Sequence, residues 1–197
     1  RLPASYLDSP FVFLGNIQPQ LQLDVLNQVK APKLVAADTM NYWIERAPSE
    51  LGRVLERIHI LIINDSEARE LAREANLVKA ARRIKAMGPA VLVIKRGEHG
   101  VLMSRDGEGL FAAPAMPLEE VFDPTGAGDT FAGGFMGYLA SCGEVTEATL
   151  ARAIIYGSTM ASFAVEDFGL SRLLTLDNTQ VRERFRAFRQ LTHFDEV

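Results

Sequence analysis

Short apolar runs alternate with stretches whose apolar residues recur at helical spacing through the first half of the chain, which predicts a parallel sheet flanked by helices. Phe11-Val12-Phe13-Leu14 reads as a first strand, residues 21–29 as a helix, and Leu34-Val35-Ala36-Ala37 as a second strand. Ile58-His59-Ile60-Leu61-Ile62-Ile63 reads as a third, followed by Asn64-Asp65-Ser66-Glu67, whose polar side chains suit a helix start. Ala90-Val91-Leu92-Val93-Ile94, entered from Gly88-Pro89, reads as a fourth strand.

The pattern then changes. Residues 101–103 and 110–112 are apolar and flank Asp106-Gly107-Glu108-Gly109, a turn composition, which predicts an antiparallel hairpin. Helical periodicity dominates afterwards, over residues 127–140, 147–165 and 179–191. Gly133 and Gly137 lie four apart on the first of these helices, a spacing that predicts a close approach to the sheet at some cost in helix propensity. Neither an internal repeat nor a low-complexity segment interrupts the chain.

Composition narrows the classes. At 197 residues, 48% hydrophobic and 23% charged, the chain suits one globular domain spanning residues 1–197. A formal net charge of -4 gives no electrostatic reason to expect nucleic acid as a partner. Arg182, Arg184, Arg186 and Arg189 cluster near the end, but Glu183 interrupts them and helical spacing spreads them, so a solvated face is expected. Cys142 is the single cysteine, which excludes an internal disulfide and a cysteine metal cage. No apolar run approaches the roughly 20 residues that span a bilayer, and no basic-then-apolar leader pattern opens the sequence. No membrane partner and a cytoplasmic location are the expectations.

The chemistry concentrates in Asp123-Pro124-Thr125-Gly126-Ala127-Gly128-Asp129-Thr130-Phe131-Ala132-Gly133-Gly134. Gly126 and Gly128 permit backbone angles closed to other residues, so successive N–H groups can converge on an anion where a helix begins. Asp129, just beyond, is placed to accept a proton from a hydroxyl, the task phosphoryl transfer sets a carboxylate. A tight turn with Asp as an ordinary helix-start residue is the plainer alternative.

This string resembles the C-terminal signature of the ribokinase-like (PfkB) family of carbohydrate and nucleoside kinases. The resemblance implies a three-layer α/β/α fold with a mostly parallel central sheet. It also implies that these residues correspond to the later part of such a kinase, with N-terminal strands, the small β-sheet lid and much of the sugar pocket lying outside them. ATP and Mg²⁺ are the implied cofactors, with K⁺ in potassium-activated members. The implied activity moves the γ-phosphate of ATP to an alcohol hydroxyl of a sugar or nucleoside, with Asp129 as base and Gly126, Ala127 and Gly128 as the anion cradle. Homodimerisation through the lid is a further implication. A non-catalytic nucleotide-binding regulatory domain is the alternative, against which a carboxylate beside a phosphate argues. A Rossmann-type enzyme is disfavoured because its glycine-rich loop follows the first strand.

Further residues follow from the same resemblance. Asp38-Thr39-Met40-Asn41 looks like the Asp-x-Asn segment on the phosphate and acceptor side, although Trp43 stands near where some relatives carry an arginine. Either that role or simple satisfaction of loop backbone fits Asp38 and Asn41. Asn64 and Glu67 match a motif that shapes the magnesium and phosphate environment through bound water, and read without the family they are a helix cap. Lys95 and Gly97 match a segment bordering the nucleotide phosphates, while His99 reads as an exposed turn residue. Asp123 and Thr125 match the border of a monovalent-cation site, and Pro124 stiffens the loop between them. Ser158 and Phe168-Gly169 match positions near the adenine, with plain helix packing as the alternative for Ser158.

Overall fold

The computed structural model describes residues 1–105, 107 and 109–193. Four strands, β1 (Phe11–Leu14), β2 (Leu34–Ala37), β3 (Ile60–Asn64) and β4 (Val91–Lys95), lie parallel in chain order. β2 is buried at all four positions, as expected of a strand covered on both faces. β5 (Val101–Ser104) and β6 (Leu110–Ala113) extend the sheet to the order β1-β2-β3-β4-β5-β6. Five residues separate β4 from β5 and five separate β5 from β6, too few for the parallel crossover of about a dozen or more. The sheet is therefore mostly parallel with an antiparallel margin. Asp106 and Glu108 of the predicted turn lie outside the described residues.

The chain divides into two compact units, residues 1–95 with 102–111 and residues 96–101 with 112–197. In the first, α1 (Pro19–Leu26), α2 (Asn41–Arg46), α3 (Pro48–Leu55), α4 (Asp65–Ala72) and α5 (Leu77–Lys85) connect the strands. The helix expected at 21–29 begins at Pro19, whose fixed φ and missing N–H suit the first turn, and ends at Leu26. Leu61, Ile63, Leu92 and Ile94 of the sheet pack with Ala68 and Ile84 in one core, each aliphatic burial contributing about 2 kcal/mol.

The second unit is helical: α6 (Ala127–Cys142), α7 (Glu147–Ala164), α8 (Ser171–Leu174) and α9 (Asn178–Thr192). Phe131, Phe135 and Leu139 bury one face of α6 at helical spacing. The expectation for Gly133 and Gly137 is overturned, because a Cβ on either meets nothing within 4 Å. The close approach uses Gly134 and Gly157 instead. A Cβ at Gly134 would come within 3.1 Å of the Gly157 Cα, and one at Gly157 within 2.8 Å of the Phe131 carbonyl oxygen. The reason is register: α6 turns position 134 toward α7 and leaves 133 and 137 exposed.

Candidate active site

In the first unit a polar cluster forms just beyond the carboxyl ends of β2, β3 and β4, where open parallel sheets gather ligands. Asp38 follows β2, and the β3–β4 register sets Asn64 beside Lys95. The Lys95 ammonium lies 3.7 Å from the Asp38 carboxylate, which also accepts the Thr39 N–H at 2.7 Å. Asn64 caps α4 by accepting the Glu67 N–H at 2.8 Å, and Glu67 Oε2 accepts the Asn64 N–H at 2.7 Å. The capping box is thus real, and Glu67 keeps its second oxygen out of it. Asn41 does more than satisfy a loop: its side chain donates to Glu70 on α4. Trp43 donates to Asn16 at 3.1 Å.

Burial pushes the Glu67 carboxyl above its ordinary 4.5; the Asn64 N–H opposes this, Asp38 and Glu70 add to it, and Lys95 offsets part. Three carboxylates thus act around one ammonium. The Glu70 Oε1 and Thr39 Oγ1 atoms are buried with no hydrogen-bond partner. This surplus of hard oxygen donors and negative charge fits a hydrated divalent cation. Among the described residues no group of three or more His, Cys, Asp or Glu side chains is placed to hold a metal ion directly.

The second unit holds the glycine turn. Gly126 adopts φ 78°, a left-handed conformation that favours glycine, and caps α6. Ala127 donates its N–H to the Pro124 carbonyl at 3.2 Å and Thr130 donates to Gly126 at 2.8 Å. The N–H groups of Gly128 and Asp129 therefore remain without acceptors among the described residues, at the positive end of a 16-residue helix. Asp129 is exposed in the first helical turn. Asp123 accepts the Thr125 N–H at 2.9 Å, and this bond, the Thr125 hydroxyl and the Gly169 N–H hold its carboxyl below the usual range. Gly97 has φ 56° in a 3-10 turn with the exposed His99, and the buried Ser158 hydroxyl has no partner.

The predicted residues thus gather in two groups: Asn64, Glu67 and Lys95 with Asp38 in one unit, and Asp123, Thr125, Gly126 to Asp129 and Gly169 around one turn in the other. No hydrogen bond joins Gly97 or Ser158 to that turn among the described residues. Sequence reasoning missed Glu70, although it lies three residues beyond Glu67 on α4, a same-face spacing. It also misjudged Arg184. Arg182, Arg186 and Arg189 are exposed as expected, but Arg184 turns inward to stack on Phe163, with 3.6 Å from guanidinium carbon to ring centre. Among the described residues no helix is long and apolar enough to cross a membrane.

A cytidine kinase of Thermococcus kodakarensis is 36% identical over 141 residues, covering 68% of this chain and 49% of that protein. The chain spans about half the length of the curated relatives it matches over most of its own extent. Aminoimidazole riboside kinase from Salmonella enterica, complexed with aminoimidazole riboside and an ATP analog, superposes with a TM-score of 0.74 at 22% identity, covering 93% of this chain and 64% of that chain. Fructokinase from Vibrio cholerae O395, in a fructose-, ADP- and calcium-bound form, gives a TM-score of 0.79 at 17% identity, covering 93% and 63%. These likenesses establish the ribokinase-like α/β fold. The family model for pfkB carbohydrate kinases matches residues 9–176, and the chain belongs to that family.

Proposed function

We propose that the protein carrying this chain is an ATP-dependent kinase whose acceptor is a hydroxyl of a sugar or nucleoside, with residues 1–197 forming one ribokinase-like domain. The observation that carries this reading is the left-handed Gly126 turn, which opens α6 with the Gly128 and Asp129 N–H groups unspent and the Asp129 carboxylate exposed beside them. Membership of the pfkB family supports it. Those N–H groups bind oxygens of the transferred phosphoryl group, and being fixed in place they stabilise its developing charge without reorganising. Asp129 takes the acceptor proton. The acceptor oxygen then forms the new bond to phosphorus as the bond to the leaving β-phosphate oxygen breaks, and ADP departs.

Lys95 supplies a point charge to the phosphates, shared with Asp38. Gly97 permits close approach of backbone to nucleotide, and Ser158 and Gly169 border the base. Glu67, with Asn64 alongside, would hold Mg²⁺ through water, and the ion would supply charge neutralisation to the phosphates. K⁺ would sit beside Asp123 and Thr125, where the Asp123 carboxylate also accepts the Thr125 N–H.

The test is to supply the full-length protein with ATP, Mg²⁺ and a panel that includes cytidine, ribosides and fructose, and to measure ADP. Acceptor-dependent ADP formation is expected. ADP release indifferent to every acceptor, or none at all, would overturn the proposal.

A further inference from the structure

Asp123 and its neighbours hang from the far end of α7. The Val165 carbonyl accepts the Phe122 N–H at 2.8 Å and the Asp123 N–H at 3.4 Å, and the Gly169 N–H faces the Asp123 carboxylate and helps hold it ionised. That carboxylate in turn fixes Thr125, the residue before Gly126. The pose of the anion turn therefore depends on how residues 165–169 are held.

Glu166 holds them with both oxygens. Its Oε2 accepts from Arg172 Nε at 3.0 Å on α8, and its Oε1 pairs with Arg184 Nη1 on α9. Both guanidinium groups lie over the Phe163 ring, at 3.6 Å for Arg184 and 4.9 Å for Arg172, and Arg184 also bonds the Ser162 hydroxyl at 3.3 Å. The three charged side chains are only 21 to 23% exposed, so these pairs are screened far less than surface ion pairs. Without the carboxylate, two positive groups would face each other across one ring.

We propose that Glu166 is a positioning residue for the anion turn, transmitting the seating of α8 and α9 through Val165 and Gly169 to Asp123, Thr125 and Gly126. Its consequence for nucleotide binding rests on the kinase reading; the mechanical link does not.

The experiment compares Glu166→Gln and Arg184→Lys with wild type in the full-length protein, by amide hydrogen exchange and ADP affinity. Glu166→Gln is expected to speed exchange at the Phe122, Asp123 and Thr125 amides about tenfold and to weaken ADP about tenfold, leaving the α6 interior amides and the acceptor KM unchanged. Arg184→Lys, which keeps the positive charge but loses the planar stack on Phe163, is expected to give a smaller rise at the same amides than Glu166→Gln. Unchanged exchange at those three amides, or an equal rise throughout α6 and α9, overturns the link. ADP affinity untouched while those amides loosen overturns the functional half. A wild-type protein that binds no adenine nucleotide sinks the kinase reading instead, and the exchange arm then decides the link alone. Should Glu166→Gln fail to fold, Arg172→Gln releases one of the two arms and is expected to give a smaller rise at the same amides.

Discussion

Asn64 and Glu67 cap each other: each side chain accepts the other's backbone N–H, at 2.8 Å and 2.7 Å, so one carboxylate both starts α4 and carries charge toward Asp38 and Lys95. Glutamine at position 67 keeps an acceptor for the Asn64 N–H and removes the charge. The two jobs can therefore be separated.

The sign of the pH effect follows from burial. Because the folded carboxyl titrates above its ordinary 4.5, the stability it contributes is fully present below that value and is lost as pH rises through the raised one. Glu67→Gln is expected to flatten that fall, gaining on wild type as pH rises above 4.5 in urea titrations at stepped pH. Glu67→Ala also leaves the Asn64 N–H without its acceptor, and is expected to lie about 1 kcal/mol below Glu67→Gln across the same pH range.

Asp129→Asn preserves shape and removes the base. ADP formation in the full-length protein is expected to fall about a hundredfold or more, with ATP affinity retained. Undiminished turnover would exclude Asp129 as the base.

Lys95→Met leaves Asp38 without its lysine in a site where the two side chains are 19% and 9% exposed. The expected loss is about 3 kcal/mol, read from denaturant midpoints. Adding Asp38→Asn is expected to recover part of it, since the two changes remove one interaction.

The glycine contacts in α6 and α7 give opposite predictions for the same chemical change. Gly157→Ala puts a methyl 2.8 Å from the Phe131 carbonyl oxygen and is expected to cost about 1 to 3 kcal/mol despite better helix propensity. Gly133→Ala meets nothing within 4 Å and is expected to gain about 0.5 to 1 kcal/mol. Thermal melts of both variants check the pair.

Strand positions were legible because buried parallel strands are continuous apolar runs, and Leu34 to Ala37 is one. The Asn64–Glu67 cap and the turn at Gly126 were legible because both are local, decided by residues within a few positions of each other. The Glu166–Arg184 pair was not, since eighteen positions separate its members and only the packing of α7 against α9 joins them. The glycine contact failed for a related reason. Spacing gives the interval between Gly133 and Gly137 but not which face of the helix meets a neighbour.

Lys95 owes its place to the main-chain ladder that pairs it with Asn64, and the buried Leu92 and Ile94 of the same strand fix the phase of that ladder. Side chains alternate along a strand, so deleting one residue inside β4 would present a hydrocarbon where the ammonium belongs and drive polar groups into the interior. The charge opposite Asp38 is thus inherited from the hydrophobic interior, and a chain that retains this core in register retains its lysine in place.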